Sequence, residues 1–232
     1  MGAMSIALRC ISSMASGPLL AELGPAYERH SGHKLNIESV GGVDAARRVQ
    51  AGEAFDVVVL ASDAIERLIA SGQVVAGSRV DLVRSPVAIA VRAGAPWPDI
   101  GSEEAVRQAV LAARSIGYSS GPSGAHLIQL FERWGIGEQL KHRIQQAPPG
   151  VPVGALLARG EVELGFQQLG EMLHLEGIQV IGTLPSAIQF VTTFSAGLCT
   201  GSVQGQAVND MLAFMSTPLA ALSKRRHGME PA

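Results

Sequence analysis

Short apolar runs alternate along the chain with stretches whose apolar positions recur every three or four residues, the pattern of strands and helices taking turns. The run "SIALRCI" predicts a first strand. Residues 17–31 predict a helix, because Pro18 suits a first turn, Leu19, Leu20, Leu23, Ala26 and Tyr27 fall along one face, and Gly32 supplies a stop. "KLNIESV" predicts the next strand, "VDAARRVQAG" a helix ending at Gly52, and "FDVVVL" a fully buried strand of β-branched residues. Asp63 is expected to open a further helix, with Glu66 three residues later completing a capping box. Buried strands joined by helices make a parallel sheet covered on both faces, so the fold class is α/β.

The rhythm changes after residue 80, where "RVDLVRSPVAIAVRAGAPWP" holds two apolar runs separated by Ser85 and Pro86 and predicts a strand crossing between two lobes. A second series follows: a helix over 102–113, strand "RSIGYS", a helix over 122–134, strand "RIQQA", a helix over 151–159 and strand "VELGF". Residues 188–198, "IQFVTTFSAGL", are expected to return the chain, and "VQGQAVNDMLAFMSTPLAAL" to finish the first lobe as a helix. Lobe 1 is then residues 1–84 with 193–232, and lobe 2 residues 85–192. The segments near 84–87 and 189–195 are expected side by side as a hinge. The tail "KRRHGMEPA" reads as a frayed, solvated terminus rather than a basic recognition patch.

A chain of 232 residues that is 47% hydrophobic can bury a core and is near the upper size for one compact domain, which agrees with two lobes. Its formal charge is −2 and its basic residues are scattered, so no nucleic-acid partner is expected. No apolar run reaches the roughly 18 residues that span a bilayer, so no membrane insertion is expected either. The opening "MGAM" reads as a vector-derived scar, leaving the localisation periplasmic if a signal peptide has been removed and cytoplasmic otherwise. Cys10 and Cys199 lie among apolar residues and are expected to be buried free thiols. A monomer is expected.

Candidate chemistry gathers in four turns that lead from a strand into a helix. These are "SSMASG" with Ser12 and Ser13, "SVGGVD" with Gly41 and Gly42, "ASDAIE" with Ser62 and Asp63, and "GYSSGPSGAHL" with Ser119, Ser120, Ser123 and His126. A helix N-terminus offers unpaired N–H groups, and serine adds a neutral hydroxyl donor, so the set suits a small anion. The competing reading is that each turn merely caps its helix. Neither G-x-G-x-x-G nor the Gly-Lys-Ser/Thr phosphate loop occurs, no G-x-S-x-G elbow is present, and the histidines at 30, 33, 126, 142, 174 and 227 lack metal-ligand spacing. No cofactor and no metal are expected.

The order of these turns, the two crossings, and the segments "ESVGGVDAARRVQAGEAFDVVVLASD", "GEVELGFQQLGEML" and "TPLAALSKRRHG" resemble the periplasmic molybdate-binding protein family, which also includes aconitate isomerase-like enzymes. The resemblance implies a two-lobe type II periplasmic-binding-protein fold with two crossover segments. It also implies a serine ligand from the first turn, at Ser12 or Ser13, and an ABC importer as partner if the protein is exported. Two departures speak against molybdate: Gly41, Gly42 and Val43 stand where the family places a serine, and Phe166, Gln167 and Gln168 where it places a tyrosine. Arg47, Arg48 and Arg84 offer guanidinium forks for carboxylates. The leading expectation is a binder that closes on a small oxyanion or organic carboxylate in the cleft between the lobes. Ser12 or Ser13 would contact it from one side and Ser120 or Ser123 from the other, with Gln167 also among the ligand-binding residues. The alternative is an isomerase of a small unsaturated polycarboxylate, with Asp63 or His126 as base and Ser13, Ser120 and Ser123 as donors. A cytosolic ligand sensor is a third reading.

Overall fold

The computed structural model describes residues 5–232, so the opening "MGAM" lies outside the described residues. They separate into two compact units, one running to Arg84 and resuming over Thr193–Ala232, the other Ser85–Thr192.

In the first unit, β1 (Ala7–Ser13) leads through a 3₁₀ turn, Met14–Ser16, into α1 (Gly17–Ser31). Gly32 ends that helix in the left-handed conformation, φ 76°, with its N–H donating to the Glu28 carbonyl. Then come β2 (Lys34–Val40), α2 (Gly42–Gln50), β3 (Val57–Ala61), α3 (Ser62–Ala70) and the long β4 (Val80–Arg92). Strand β1 is parallel to β2 from Ala7↔Lys34 to Ser13↔Val40, and parallel to β3 through Ser12↔Val59. The period-two alternation of strand side chains divides this unit's core. Leu8, Cys10, Val57 and Val59 pack with Leu19, Leu20, Leu23 and Tyr27 of α1, whereas Ile11, Val58 and Leu60 pack with Ala45, Val49, Ile65 and Leu68 of α2 and α3. Both cysteines are free and buried, and burial pushes each thiol up to about 12.

The second unit carries α4 (Glu103–Ala112), β5 (Ile116–Tyr118), α5 (Pro122–Arg133), α6 (Gly137–Leu140), β6 (Ile144–Gln146), α7 (Val153–Ala158), β7 (Leu164–Gln168), α8 (Leu169–Met172) and β8 (Ile178–Thr183). Strand β5 is parallel to β6 and to β7, with Tyr118 opposite both Gln146 and Phe166. Strand β7 is antiparallel to β4 through Val87↔Gln168, and β8 also pairs antiparallel with β4. The single-turn helices α6 and α8 and the half-polar strand β8 are additions to the pattern read from sequence. The two crossing segments meet here, the Val87 N–H donating to the Gln189 side chain at 2.9 Å and to the Phe190 carbonyl at 3.2 Å.

The chain returns through β9 (Val191–Leu198), antiparallel to β3, and ends with α9 (Gly205–Phe214), α10 (Pro218–Arg226) and β10 (Glu230–Pro231). Three expectations are corrected here. The C-terminal helix is two helices, because the Thr217 hydroxyl accepts from the Ala220 N–H and Pro218 occupies the first turn, restarting the backbone. The tail is not frayed: Met229 is buried, Glu230 pairs with Arg84 of β4, and Ser223, Arg226 and His227 converge on Glu22. The capping box at Asp63 does not form, since Asp63 pairs with Arg67, Glu66 pairs with Arg79, and the N-cap position is Ala61. Among the described residues no helix is long and apolar enough to cross a membrane.

Candidate functional site

Because β1, β2 and β3 run parallel, their carboxyl ends and the helix starts that follow share one edge of the first unit. Ser12 is fully buried, and its hydroxyl lies 2.8 Å from that of Ser39, its register partner on β2. Ser13 points to the opposite face of the strand, with its Oγ 3.3 Å from Ser16 Oγ. Ser16 donates to the Ser13 carbonyl at 3.1 Å, so the long Ser13 contact is the one an incoming acceptor displaces most readily. A Cβ at Gly17 would sit 3.0 Å from Ser39 Oγ, so glycine lets the start of α1 come up against that hydroxyl. Gly41 has open space where a Cβ would stand, leaving the backbone of the second turn bare beside Gly42 at the start of α2. Ser62 is half-buried at the first position of α3.

The second unit repeats the chemistry with different partners. Ser119 and Ser123 are buried with their hydroxyls 2.8 Å apart, while Ser120 is exposed at the same turn. A Cβ at Gly124 would fall 1.7 Å from the Ser119 carbonyl oxygen, so only glycine permits the first turn of α5 to close on this backbone. The β5–β7 register ends at Tyr118↔Phe166, one residue before Ser119 on one strand and Gln167 on the other. There Gln167 is buried, and its Oε1 accepts from the Val153 N–H at 2.7 Å. Its neighbour Gln168 donates through Nε2 to Thr192 Oγ1 at 2.6 Å. The Gln168 Oε1 and the Ser85 Oγ are buried polar atoms left without a hydrogen-bond partner among the described residues. Hydroxyls and amides are neutral donors that hold an anion without a fixed positive charge.

The charged candidates are placed elsewhere. Arg84 donates to the Pro231 carbonyl at 3.0 Å; Arg47 pairs with Asp44; Arg48 is gripped by Glu38 and Glu53, its guanidinium over the Phe55 ring. Each of the three is spent on a structural contact. Asp63 is exposed and forms an ion pair with Arg67 at 2.8 Å. His126 makes a 3.1 Å contact from Nε2 to the Ile188 carbonyl, which requires the proton on Nε2, and its ring stacks on Phe190 at a centroid distance of 4.7 Å. Among the described residues no group of three or more His, Cys, Asp or Glu could hold a metal ion.

Three residues escaped the sequence reading. Ser39 becomes visible only when "ALRCISS" and "KLNIESV" are laid in parallel register, which puts it opposite Ser12. Ser16 stood inside the quoted first turn but looked like a spacer. Glu171 in α8 carries no periodic or motif signal; burial raises its carboxyl to about 7, and a hydrogen bond from Gln167 partly offsets the rise.

The description of bacterial extracellular solute-binding proteins matches residues 8–230. An aconitate isomerase from Pseudomonas sp. is 36% identical over 230 residues, which cover 95% of this chain and 87% of that relative. Among solved structures, the periplasmic molybdate-binding protein of Azotobacter vinelandii superposes with a TM-score of 0.81 at 19% identity, over 96% of this chain and 98% of the other. The sulfate-binding protein SubI of Mycobacterium tuberculosis gives 0.79 at 18% identity, over 98% and 87%. At those identities the likeness is one of fold, the two-lobe type II periplasmic-binding-protein architecture. A family match from Leu8 to Glu230 and a full-length relative at 36% identity carry the same conclusion: the chain belongs to the bacterial extracellular solute-binding protein family.

Proposed function

We propose that the protein binds a small anion, of the organic polycarboxylate class, through hydroxyl-lined turns at the carboxyl ends of its parallel strands. The observation that carries this reading is the set of buried or half-buried hydroxyl pairs, Ser12 with Ser39, Ser13 with Ser16 and Ser119 with Ser123, at the carboxyl ends of parallel strands. That position is where open α/β sheets take ligands, and each turn precedes a helix start. Several neutral donors suit an anion with many oxygens. Polycarboxylate is favoured over a tetrahedral oxyanion by the relative named aconitate isomerase, since the oxyanion-binding proteins share only the fold. If the protein acts as an uptake binder, its partner is an ABC importer.

A thermal-shift panel of trans-aconitate, cis-aconitate, citrate, molybdate, tungstate, sulfate and phosphate tests the class. A ligand at about 100 times its Kd adds roughly 2.7 kcal/mol to the folded state, so at least one carboxylate should raise the melting temperature by several degrees. A panel in which nothing shifts would refute anion binding, and one in which only molybdate or tungstate shifts would refute the carboxylate class.

The 36% identity to an aconitate isomerase favours a second reading in which the bound polycarboxylate is also isomerised. Moving a double bond in such a substrate needs a base that takes a proton from the methylene beside it, donors that hold the charge then spread over the carboxylates, and return of a proton at the far carbon. The serine turns supply donors. Neither Asp63, paired at the surface, nor His126, bound to a carbonyl, is poised to serve as that base.

A further inference from the structure

We infer that His126 is a positioning residue for the Ser119–Ser123 turn, an assignment that rests on the binding reading above. Ser123 and His126 stand three positions apart on α5, so their side chains neighbour each other on one face of the helix. From that face His126 reaches the segment that follows β8. Its Nε2–H donates to the Ile188 carbonyl at 3.1 Å, and its ring stacks on Phe190 with centroids 4.7 Å apart and planes 13° from parallel. One directed hydrogen bond and one near-parallel stack together fix both the place and the rotation of the imidazole.

The segment that receives His126 is itself tied down. Gln189 lies between the two residues His126 touches, and its Oε1 accepts from the Val87 N–H and the Phe190 N–H, each at 2.9 Å. Its Nε2 donates to the Leu184 carbonyl at 2.9 Å and to the Val87 carbonyl at 3.3 Å. One side-chain amide thus gives β4 the acceptor and the donor that a neighbouring strand would offer. Two residues on, Thr192 Oγ1 accepts from Gln168 Nε2 at the end of β7 at 2.6 Å. Residues 188–192 therefore join α5, which carries Ser123, to β4 and to the end of β7. All of these contacts lie within the second unit.

The start of α5 has little else to hold it. Its N-cap position is Gly121, which has no side chain to cap the helix, and the Gly124 and Ala125 N–H groups both donate to the one Gly121 carbonyl at 3.1 Å. Glycines at 121 and 124 also leave the backbone of the turn with more freedom to lose on folding. The 2.8 Å Ser119–Ser123 hydroxyl pair spans the turn and the helix, so any drift of the first turn of α5 carries Ser123 away from Ser119. His126, one turn further along, is the side chain that ties that turn to the braced segment.

The test is a double-mutant cycle. Trans-aconitate affinity is measured by titration calorimetry for the wild type, His126→Ala, Ser119→Ala and the double variant, and backbone hydrogen exchange is followed by mass spectrometry over residues 119–128. His126→Ala is expected to weaken binding about 5- to 20-fold in the wild-type background and less than about twofold in the Ser119→Ala background, because a residue that acts through the turn loses its effect once the paired hydroxyl is gone. Exchange over 119–128 is expected to speed about tenfold or more in His126→Ala, with β1 and α1 exchanging as in the wild type. Equal losses of affinity in the two backgrounds would overturn the assignment, and so would unchanged exchange. A wild-type protein that binds no trans-aconitate would refute the carboxylate reading, and exchange over 119–128 alone then decides whether His126 holds the turn. Should His126→Ala not fold, His126→Phe, which keeps an aromatic ring on Phe190 and removes the N–H, is read in its place. Faster exchange over 119–128 supports the assignment, and unchanged exchange overturns it.

Discussion

Gly124 is the position where a single methyl group should do most damage to the candidate site. Its Cβ would stand 1.7 Å from the Ser119 carbonyl oxygen, and backbone cannot swing aside as a flexible side chain would. Gly124→Ala is expected to destabilise the protein by about 1–3 kcal/mol or more, read as a lower urea midpoint, and to weaken anion binding along with it. An unchanged midpoint would mean that the start of α5 is looser than described. The serines were legible in the sequence because their residue type and their place before a helix carry the chemistry. Ser39 was not, since its nearness to Ser12 depends on strand register, and the raised carboxyl of Glu171 was not, since the burial behind it is encoded by no local pattern.

At the scale of elements, apolar periodicity located α1, β2, β3 and α5 to within a few residues, because each has a clear face or a continuous run, and α1, β2 and α5 also have a glycine or proline at an end. It failed where a short polar device overrides the pattern. The Thr217–Pro218 restart splits α9 from α10 inside a stretch that stays apolar on both sides. The C-terminal residues looked solvated because their charges were counted without their partner. Glu22 lies on α1, some 200 positions earlier by the separations of 201, 204 and 205 residues to Ser223, Arg226 and His227. The Arg226 hydrogen bond, aided by those from Ser223 and His227, lowers the Glu22 carboxyl from 4.5 to about 2. A carboxylate held below its ordinary value stabilises the fold above pH 4.5 and loses that contribution as pH falls towards 2. Glu22→Gln should therefore melt below wild type at pH 6, with the gap closing between pH 4.5 and 2. A gap that stays constant through that window would show that the contact is not an ionic one. The expected difference is small, because the pair is partly open to solvent.

For the molecule as a whole, the two αβ series and the two crossings were readable because βαβ repetition persists through the sequence, and they carried the family resemblance with them. Ligand class was less readable, because an anion site built from serine hydroxyls and amides uses the same residues that cap helices and close turns. The structure pairs the serine hydroxyls and engages Arg48 and Arg84 with carboxylates and the Pro231 carbonyl. The central claim is the proposal that these serine turns bind a polycarboxylate. Its most direct test is titration calorimetry of trans-aconitate into the ligand-free wild type, Ser13→Ala and Ser119→Ala. The account predicts binding to the wild type and a loss of roughly 1–3 kcal/mol in each variant, the cost of leaving a ligand acceptor without its donor. No measurable binding to the wild type, or two variants that bind as tightly as it does, would contradict the account.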